Sequence, residues 1–258
     1  MKLYLKFISM NIRKDLQYKV SFITKLISQF LCSFSVLFSI YFMINRFHAI
    51  NGFGFSEIII CFSIVQTSFA LVQCFGRGFD EFPNLVRSGE LDRLLIRPQN
   101  EIFQVLASNF DLKRIGSILQ ATIVLTYAIP NSNICWTPDK IITMIFMLIG
   151  GIGIYFALFI FTAGLSFFTI DSLEVMNIFT HGSNEFGRYP LSIYGQGILK
   201  FLTYIVPIAL FQYYPLLYLI GRSTNVALIF LPLICVFYII PCIAFFKFGL
   251  SKYKSTGS

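Results

Sequence analysis

Long apolar stretches alternate with short polar clusters along this chain, and none of the stretches shows the residue-by-residue alternation of a strand. The apolar runs predict membrane-crossing helices over about 20–44, 57–75, 141–169 and 226–246, each near or above the roughly 20 residues that a hydrocarbon core requires. Hydrocarbon gives an open backbone nothing to bond to, so runs this continuous must be helices. Residues 102–112 are amphipathic and lead through Lys113 and Arg114 into another apolar run at 115–129. Together they suit one long third helix over 102–129 that rises from the interface. Residues 1–19 place Lys2, Lys6, Arg13, Lys14 and Lys19 around Leu3, Phe7, Ile8, Ile12 and Leu16, the spacing of a helix lying in the interface. Lys25 lies near enough to the edge of the first span for its ammonium to reach the headgroups.

The stretch 170–225 is less regular. Residues 171–196 hold Asp171, Glu174, His181, Glu185 and Arg188, and by hydropathy they form a loop; 198–221 is apolar but interrupted by Pro207 and Pro215. In the fourth run, Gly150, Gly151, Gly153 and Gly164 leave room for a neighbouring helix to approach closely, as small residues do inside membranes.

Composition fixes the class. Of 258 residues, 56% are hydrophobic and 12% charged, against about a quarter charged in soluble domains. The chain is therefore expected to be an all-α, multi-pass membrane protein. Its net charge of +8 reflects topology more than affinity for nucleic acid. Fifteen of the 20 Lys and Arg lie before or beside the first span, in 76–114 or at the C-terminal end, while Arg46, Lys140 and Arg222 fall on the other side. The positive-inside rule then puts both termini and residues 76–101 in the cytoplasm, with the spans in the cell membrane. No short apolar core with a small-residue cleavage site follows the start, so the first span itself is expected to target the chain. Cysteines 32, 61, 74, 135, 235 and 242 lack metal-ligand spacing and suit packing.

Residues 76–98 stand out as a charged, half-apolar island between two spans. Within it Leu91, Leu94 and Leu95 fall at i, i+3 and i+4 on one helical face, Glu90, Asp92, Arg93 and Arg97 occupy the rest, and Gly89 and Pro98 bracket the segment. A helix this short is unstable alone in water and must dock on something. Its interspersed acids argue against simple attraction to anionic lipid.

Several chemistries are excluded or disfavoured. The phosphate-cradling pattern Gly-x-x-x-x-Gly-Lys-Ser/Thr is absent, so any ATP and magnesium must be bound by another subunit, and this chain needs no cofactor of its own. His48 and His181 are the only histidines and have no carboxylate or cysteine at ligand spacing, which argues against a metal site or a histidine-based catalytic relay. The clear spans hold few acids that could serve as ion-coupling sites. Uncharged polar residues do recur there: Ser28, Ser35 and Ser39 share one face of the first span, and Gln66 and Gln73 one face of the second. They suit interhelical hydrogen bonds or a substrate-contacting wall.

Residues 77–98 read Arg-Gly-Phe-Asp-Glu-Phe-Pro-Asn-Leu-Val-Arg-Ser-Gly-Glu-Leu-Asp-Arg-Leu-Leu-Ile-Arg-Pro. In this loop the chain resembles the permease subunits of type-2 ABC exporters, and the likeness continues through Gln104-Val105-Leu106, Arg114-Ile115-Gly116, Gln120, residues 188–194, Pro207 and Tyr214-Pro215. The resemblance implies six spans, a dimer with a second copy or a sister permease, and docking of cytoplasmic ATPase subunits through a coupling helix between the second and third spans. Carried over residue by residue, Asp80, Phe82, Leu85, Arg87, Glu90, Leu91, Asp92, Arg93, Leu94 and Arg97 would form or support the ATPase contact. The family plan also implies a re-entrant outer hairpin between the fifth and sixth spans, which makes 170–188 the fifth span and 190–222 the hairpin. Hydropathy instead favours 198–221 as that span.

The expected function is a non-catalytic permease subunit that moves an apolar or amphiphilic substrate out of the cytoplasm with ATP hydrolysed by its partner. An ATP-independent channel or scaffold that binds a cytoplasmic regulator through 76–98 is the alternative. An intramembrane enzyme would need Asp171, Glu174, His181 and Glu185 to converge in one cavity.

Overall fold

The computed structural model describes residues 9–10, 12–13, 16–47, 52–132, 134–169 and 177–253. Most of the expected interfacial helix at 1–19, together with His48, Asp171, Glu174 and the last five residues, lies outside the described residues. The described chain is helical and contains no strand beyond isolated bridge positions.

The first span is α1, Lys19–Phe47, and the second is α2, Phe55–Phe75. The island follows as three short helices, α3 (Arg77–Asp80), α4 (Phe82–Arg87) and α5 (Glu90–Leu95). Next come α6 (Glu101–Ser108), a 3-10 turn at Leu112–Arg114, α7 (Ile115–Ala128) and the long α8 (Pro138–Leu165). A π-turn at Ile178–Gly182 runs into α9, Ser183–Gly187. The remainder is α10 (Gln196–Tyr204), α11 (Ile208–Phe211), α12 (Tyr213–Leu219), α13 (Ala227–Phe237) and α14 (Ile239–Lys252).

Four helical segments are long and apolar enough to cross a membrane: Lys19–Arg46, Phe55–Phe75, Pro138–Leu165 and Ala227–Lys252. Gln196–Tyr204 and Ile208–Leu219 would add a fifth if counted as one span, but they meet at 89°. The break falls at Pro207, whose missing N–H and bulky ring prevent the helix from continuing. The same physics divides the last span at Tyr238, because Pro241 cannot donate and its ring crowds the carbonyl of Phe237.

The long third helix expected over 102–129 is two helices. Asn109 is extended (φ −140°, ψ 130°), and the Asp111 side chain accepts a 3.2 Å hydrogen bond from the Lys113 N–H, which starts a new turn. A short polar side chain beside its own backbone has outcompeted helix continuation here. The 14 residues of α7 reach only about 21 Å.

At the centre, α8 packs against α2, α13 and α14. Its glycines make this approach possible. A Cβ on Gly150 would stand 2.4 Å from the Pro232 carbonyl oxygen, one on Gly153 2.9 Å from the Val236 Cα, and one on Gly151 2.5 Å from the Ser68 Oγ. Helix α2 is buried along most of its length, whereas α1 lies at the edge and touches mainly α7. One apolar core, which includes Phe69, Phe79, Phe82, Tyr155, Phe159 and Phe246, runs from the island to Leu199, Ile208 and Phe211 of α10 and α11; another gathers around Ile40, Ile58, Phe62, Met147 and Leu216.

Candidate functional site

The island is fastened to the bundle by its aromatic residues. Phe79 is fully buried against Phe156 and Phe246, with ring centroids at 5.7 and 5.8 Å, and Phe82 against Phe246 and Phe167 at 5.2 and 5.3 Å. Gly78 lets α3 lie directly on α6, since a Cβ there would stand 1.8 Å from the Val105 carbonyl oxygen. Gly89 takes a left-handed conformation (φ 72°) that turns the chain between α4 and α5. Gln104 donates to the Gln99 carbonyl at 3.0 Å and steadies the return loop, and Asn100 caps α6 by accepting from the Ile102 N–H at 3.0 Å.

Burial divides the ten predicted contact residues into two groups. Arg87, Glu90, Arg93 and Arg97 are exposed, and Leu85, Asp80, Asp92 and Leu94 are half-buried. Phe82 and Leu91 point into the protein's own core, so they support the island instead of offering a surface to a partner. Asp92 is half-buried beside Tyr253, just beyond α14, and burial together with this carboxylate raises the Tyr253 hydroxyl above its ordinary pKa. The expected apolar face of Leu91, Leu94 and Leu95 is therefore split: Leu91 docks inward at 1% exposure, while Leu95 and Ile96 face out at 37% and 83%. Ile96 was not among the predicted residues; its signal was an isoleucine set between a leucine and an arginine in an otherwise charged run. Beside this edge, Leu85, Glu90, Arg93, Leu94, Arg97 and Gln104 line a groove of about 410 Å³.

Arg77 organises the start of the island, with ion pairs to Asp80 at 2.8 Å and Glu81 at 2.6 Å. Asp80 also faces His181 Nε2 at 3.8 Å, across a gap between island and interior that sequence spacing did not reveal. Burial raises the Asp80 carboxyl above its ordinary pKa, opposed by Arg77 and His181. Burial likewise lowers the Arg114 pKa, although Asp111 lies 3.7 Å from its guanidinium.

His181 and Arg114 are also part of a polar cavity of about 220 Å³ between α1, α2 and the 178–188 segment. Its other lining residues are Gln29, Cys32, Ser33, Val36, Phe62, Gln66, Phe69, Gln73, Asn184, Glu185 and Arg188. Gln66 and Gln73 thus line one wall. Ser28, Ser35 and Ser39 do not line it. All three are exposed on the outer side of α1, and Ser35 and Ser39 donate to carbonyls of their own helix, Cys32 and Ser35 respectively. The rotation of α1 decides this. Gln29 Nε2 donates to Ser117 Oγ at 3.0 Å, Ser33 and Ser117 share a 3.0 Å bond, and a Cβ on Gly116 would stand 2.7 Å from the Leu26 carbonyl oxygen. These contacts turn Gln29 and Ser33 inward and the three serines outward. Of the four residues an intramembrane enzyme would need, His181 and Glu185 line the cavity, with Glu185 paired to Arg188. Among the described residues no group of three or more histidines, cysteines and carboxylates is placed to hold a metal.

The family model described as ABC-2 family transporter protein matches residues 30–257. No curated protein and no solved structure matches the chain. The matched range takes in the island and all of the cavity lining except Gln29.

Proposed function

Because this chain belongs to the ABC-2 transporter family and is a membrane permease component whose ATPase activity lies in a partner, we propose that it drives export by docking that cytoplasmic ATPase on residues 76–98. The observation that supports this reading is the build of the island. Phe79, Phe82 and Leu91 anchor it to α8, α14 and their neighbours, while Arg87, Glu90, Arg93, Leu95, Ile96 and Arg97 face away from the protein. A segment held rigidly to the spans, with a mixed charged and apolar outer edge, suits the transmission of a partner's motion into the bundle.

In this reading ATP and magnesium are bound by the ATPase. Its closure pushes the island, and α8 and α14 move with it through the contacts of Phe79 and Phe82 with Phe156, Phe167 and Phe246. The contact between Asp80 and His181 passes the same motion to the cavity. Both termini and the island lie in the cytoplasm, the sharply bent pair α10 and α11–α12 forms a re-entrant outer hairpin, and two permeases assemble in the cell membrane. The cargo, apolar or amphiphilic, leaves the cytoplasm when the spans exchange between two packings.

Co-purification tests the docking. The full chain in its native membrane should retain an ATP-binding-cassette ATPase, and reversing the charges of the exposed Glu90, Arg93 and Arg97 together should release it. Full binding and undiminished ATP-dependent export by the reversed variant would overturn the docking role.

A further inference from the structure

The cavity wall contains buried amides with hydrogen-bonding atoms to spare. Gln66, Gln73 and Asn184 are 7%, 1% and 3% exposed. Gln66 Oε1, Gln73 Nε2, Asn184 Oδ1 and Arg188 Nε have no hydrogen-bond partner among the described residues. Each such atom costs about 1–3 kcal/mol if nothing meets it, and folded proteins keep few of them without reason. Other buried polar atoms, among them both amide atoms of Gln120 and the Tyr155 hydroxyl, also lack a partner among the described residues, but those of Gln66, Gln73, Asn184 and Arg188 belong to residues that line one open cavity, whose wall is fixed by the Gln29–Ser117 and Ser33–Ser117 bonds.

The free atoms define a chemistry. Donors and acceptors occur together, and a hydroxyl or an amide satisfies both. Both arginines of the lining have an acid beside them: Arg188 is paired with Glu185, and Arg114 with Asp111, which Lys113 also approaches. An anion or a cation would disrupt these pairs, whereas a neutral polar group need not. About 220 Å³ has room for one sugar-sized ring or a short amide segment, and Phe62 and Phe69 supply an apolar wall beside it. The lining runs along α2 from Phe62 to Gln73, eleven residues or about 16 Å, which is roughly half the thickness of a hydrocarbon core. One end of this trough lies at His181 and Arg114, beside the island.

We propose that this cavity binds a neutral, hydroxyl- or amide-bearing polar group of the exported cargo, so that the cargo is an amphiphile and not a bare hydrocarbon. The proposal rests on the export reading above and narrows its substrate class. Without bound cargo the spare atoms are met by water, which bridges buried polar groups at little cost.

The test is a Gln66→Leu/Gln73→Leu double variant of the full chain in its native membrane, beside a Gln66→Asn/Gln73→Asn control that keeps the amides. Mass spectrometry of the medium and cell surface, comparing wild type with cells lacking the chain, identifies the compounds whose export depends on it. The expected result is that these compounds carry hydroxyl or amide groups and that the leucine variant exports them at least about tenfold less, as befits the loss of about 1.4 kcal/mol of binding. The asparagine control should retain most export. The leucine variant should still bind the ATPase and melt no lower than wild type, because the lost amide atoms had only water to bond. Wild-type export by the leucine variant would overturn the proposal, as would chain-dependent compounds that lack such groups. A fall in Tm would overturn it too, by showing that the amides have partners inside the protein. If the wild-type chain retained no ATPase, the docking reading would fail, while the export comparison in cells would still decide this one.

Discussion

Replacing Leu95 and Ile96 together by serine should separate docking from folding. Ile96 is 83% exposed, and neither it nor Leu95, at 37%, belongs to the two apolar cores of the permease. Burying a whole Leu or Ile side chain stabilises by about 1.5–3 kcal/mol. Scaled by the exposed fractions, a partner that covers both would gain about 2 kcal/mol from Ile96 and about 1 kcal/mol from Leu95. The sum of about 3 kcal/mol corresponds to roughly a 100-fold weaker Kd for the ATPase once the serines are in place. The assay is titration of the purified ATPase subunit against the permease in lipid nanodiscs, with Tm measured on the permease alone. The expected outcome is the large loss of affinity with a fall in Tm well below that of a core truncation, since only the covered part of Leu95 is lost to the fold. Leu91→Ala gives the opposite profile. Leu91 is 1% exposed, and its truncation should cost about 2–5 kcal/mol of stability and lower Tm. An affinity within twofold of wild type for the double serine variant would refute the reasoning, and so would a marked drop in its Tm, which would mean that the two side chains serve the fold.

Gly78→Ala should lower Tm and weaken ATPase retention together, because the new Cβ meets backbone of α6 at 1.8 Å and no rotamer change relieves it. Overpacking of this kind costs about 1–3 kcal/mol or more, and a Tm equal to wild type would show that α3 and α6 slide apart freely. Asp80 gives a pH dependence. Its carboxyl is raised by burial, so the folded protein takes up the proton at a higher pH than the unfolded chain; this residue's stabilising contribution is present in acid and is lost as pH rises through the folded pKa. Asp80→Asn should therefore melt above wild type at about pH 7 and lose that advantage by about pH 4, near the ordinary aspartate pKa. The reverse order would mean that the ion pair with Arg77 outweighs burial.

Element type was legible wherever hydropathy is one-sided. Helices α1, α2 and α8 begin and end within a few residues of the expected spans, and the glycines of α8 meet the neighbours their size implied. Reading failed where a local polar group competed with helix continuation. Asp111 stopped the expected third helix, and no hydropathy average registers one side chain accepting from a backbone N–H two residues on. The island was legible as a short helix in need of support, yet the sequence suggested one apolar face turned to a partner, and the fold divides that face. Leu91 and Leu95 differ in fate because α5 must seat Leu91 on the bundle before anything else can bind.

The candidate site shows the same division. Ser28, Ser35 and Ser39 lie on one side of a helix and Gln29 and Ser33 on another, and periodicity ranks the two sides about equally. Which one faces inward depends on Ser117 and Gly116, residues more than eighty positions away. What the sequence determined alone is the part governed by local solvation: an all-helical membrane chain, the approximate ends of its longest spans, and a charged segment that cannot be buried in lipid. The tertiary structure decided which helical faces meet, and so which amides surround a cavity and which leucine stays outside. Those outcomes depend on packing between distant segments, where a few ångströms of rotation about a helix axis exchange an exposed residue for a buried one.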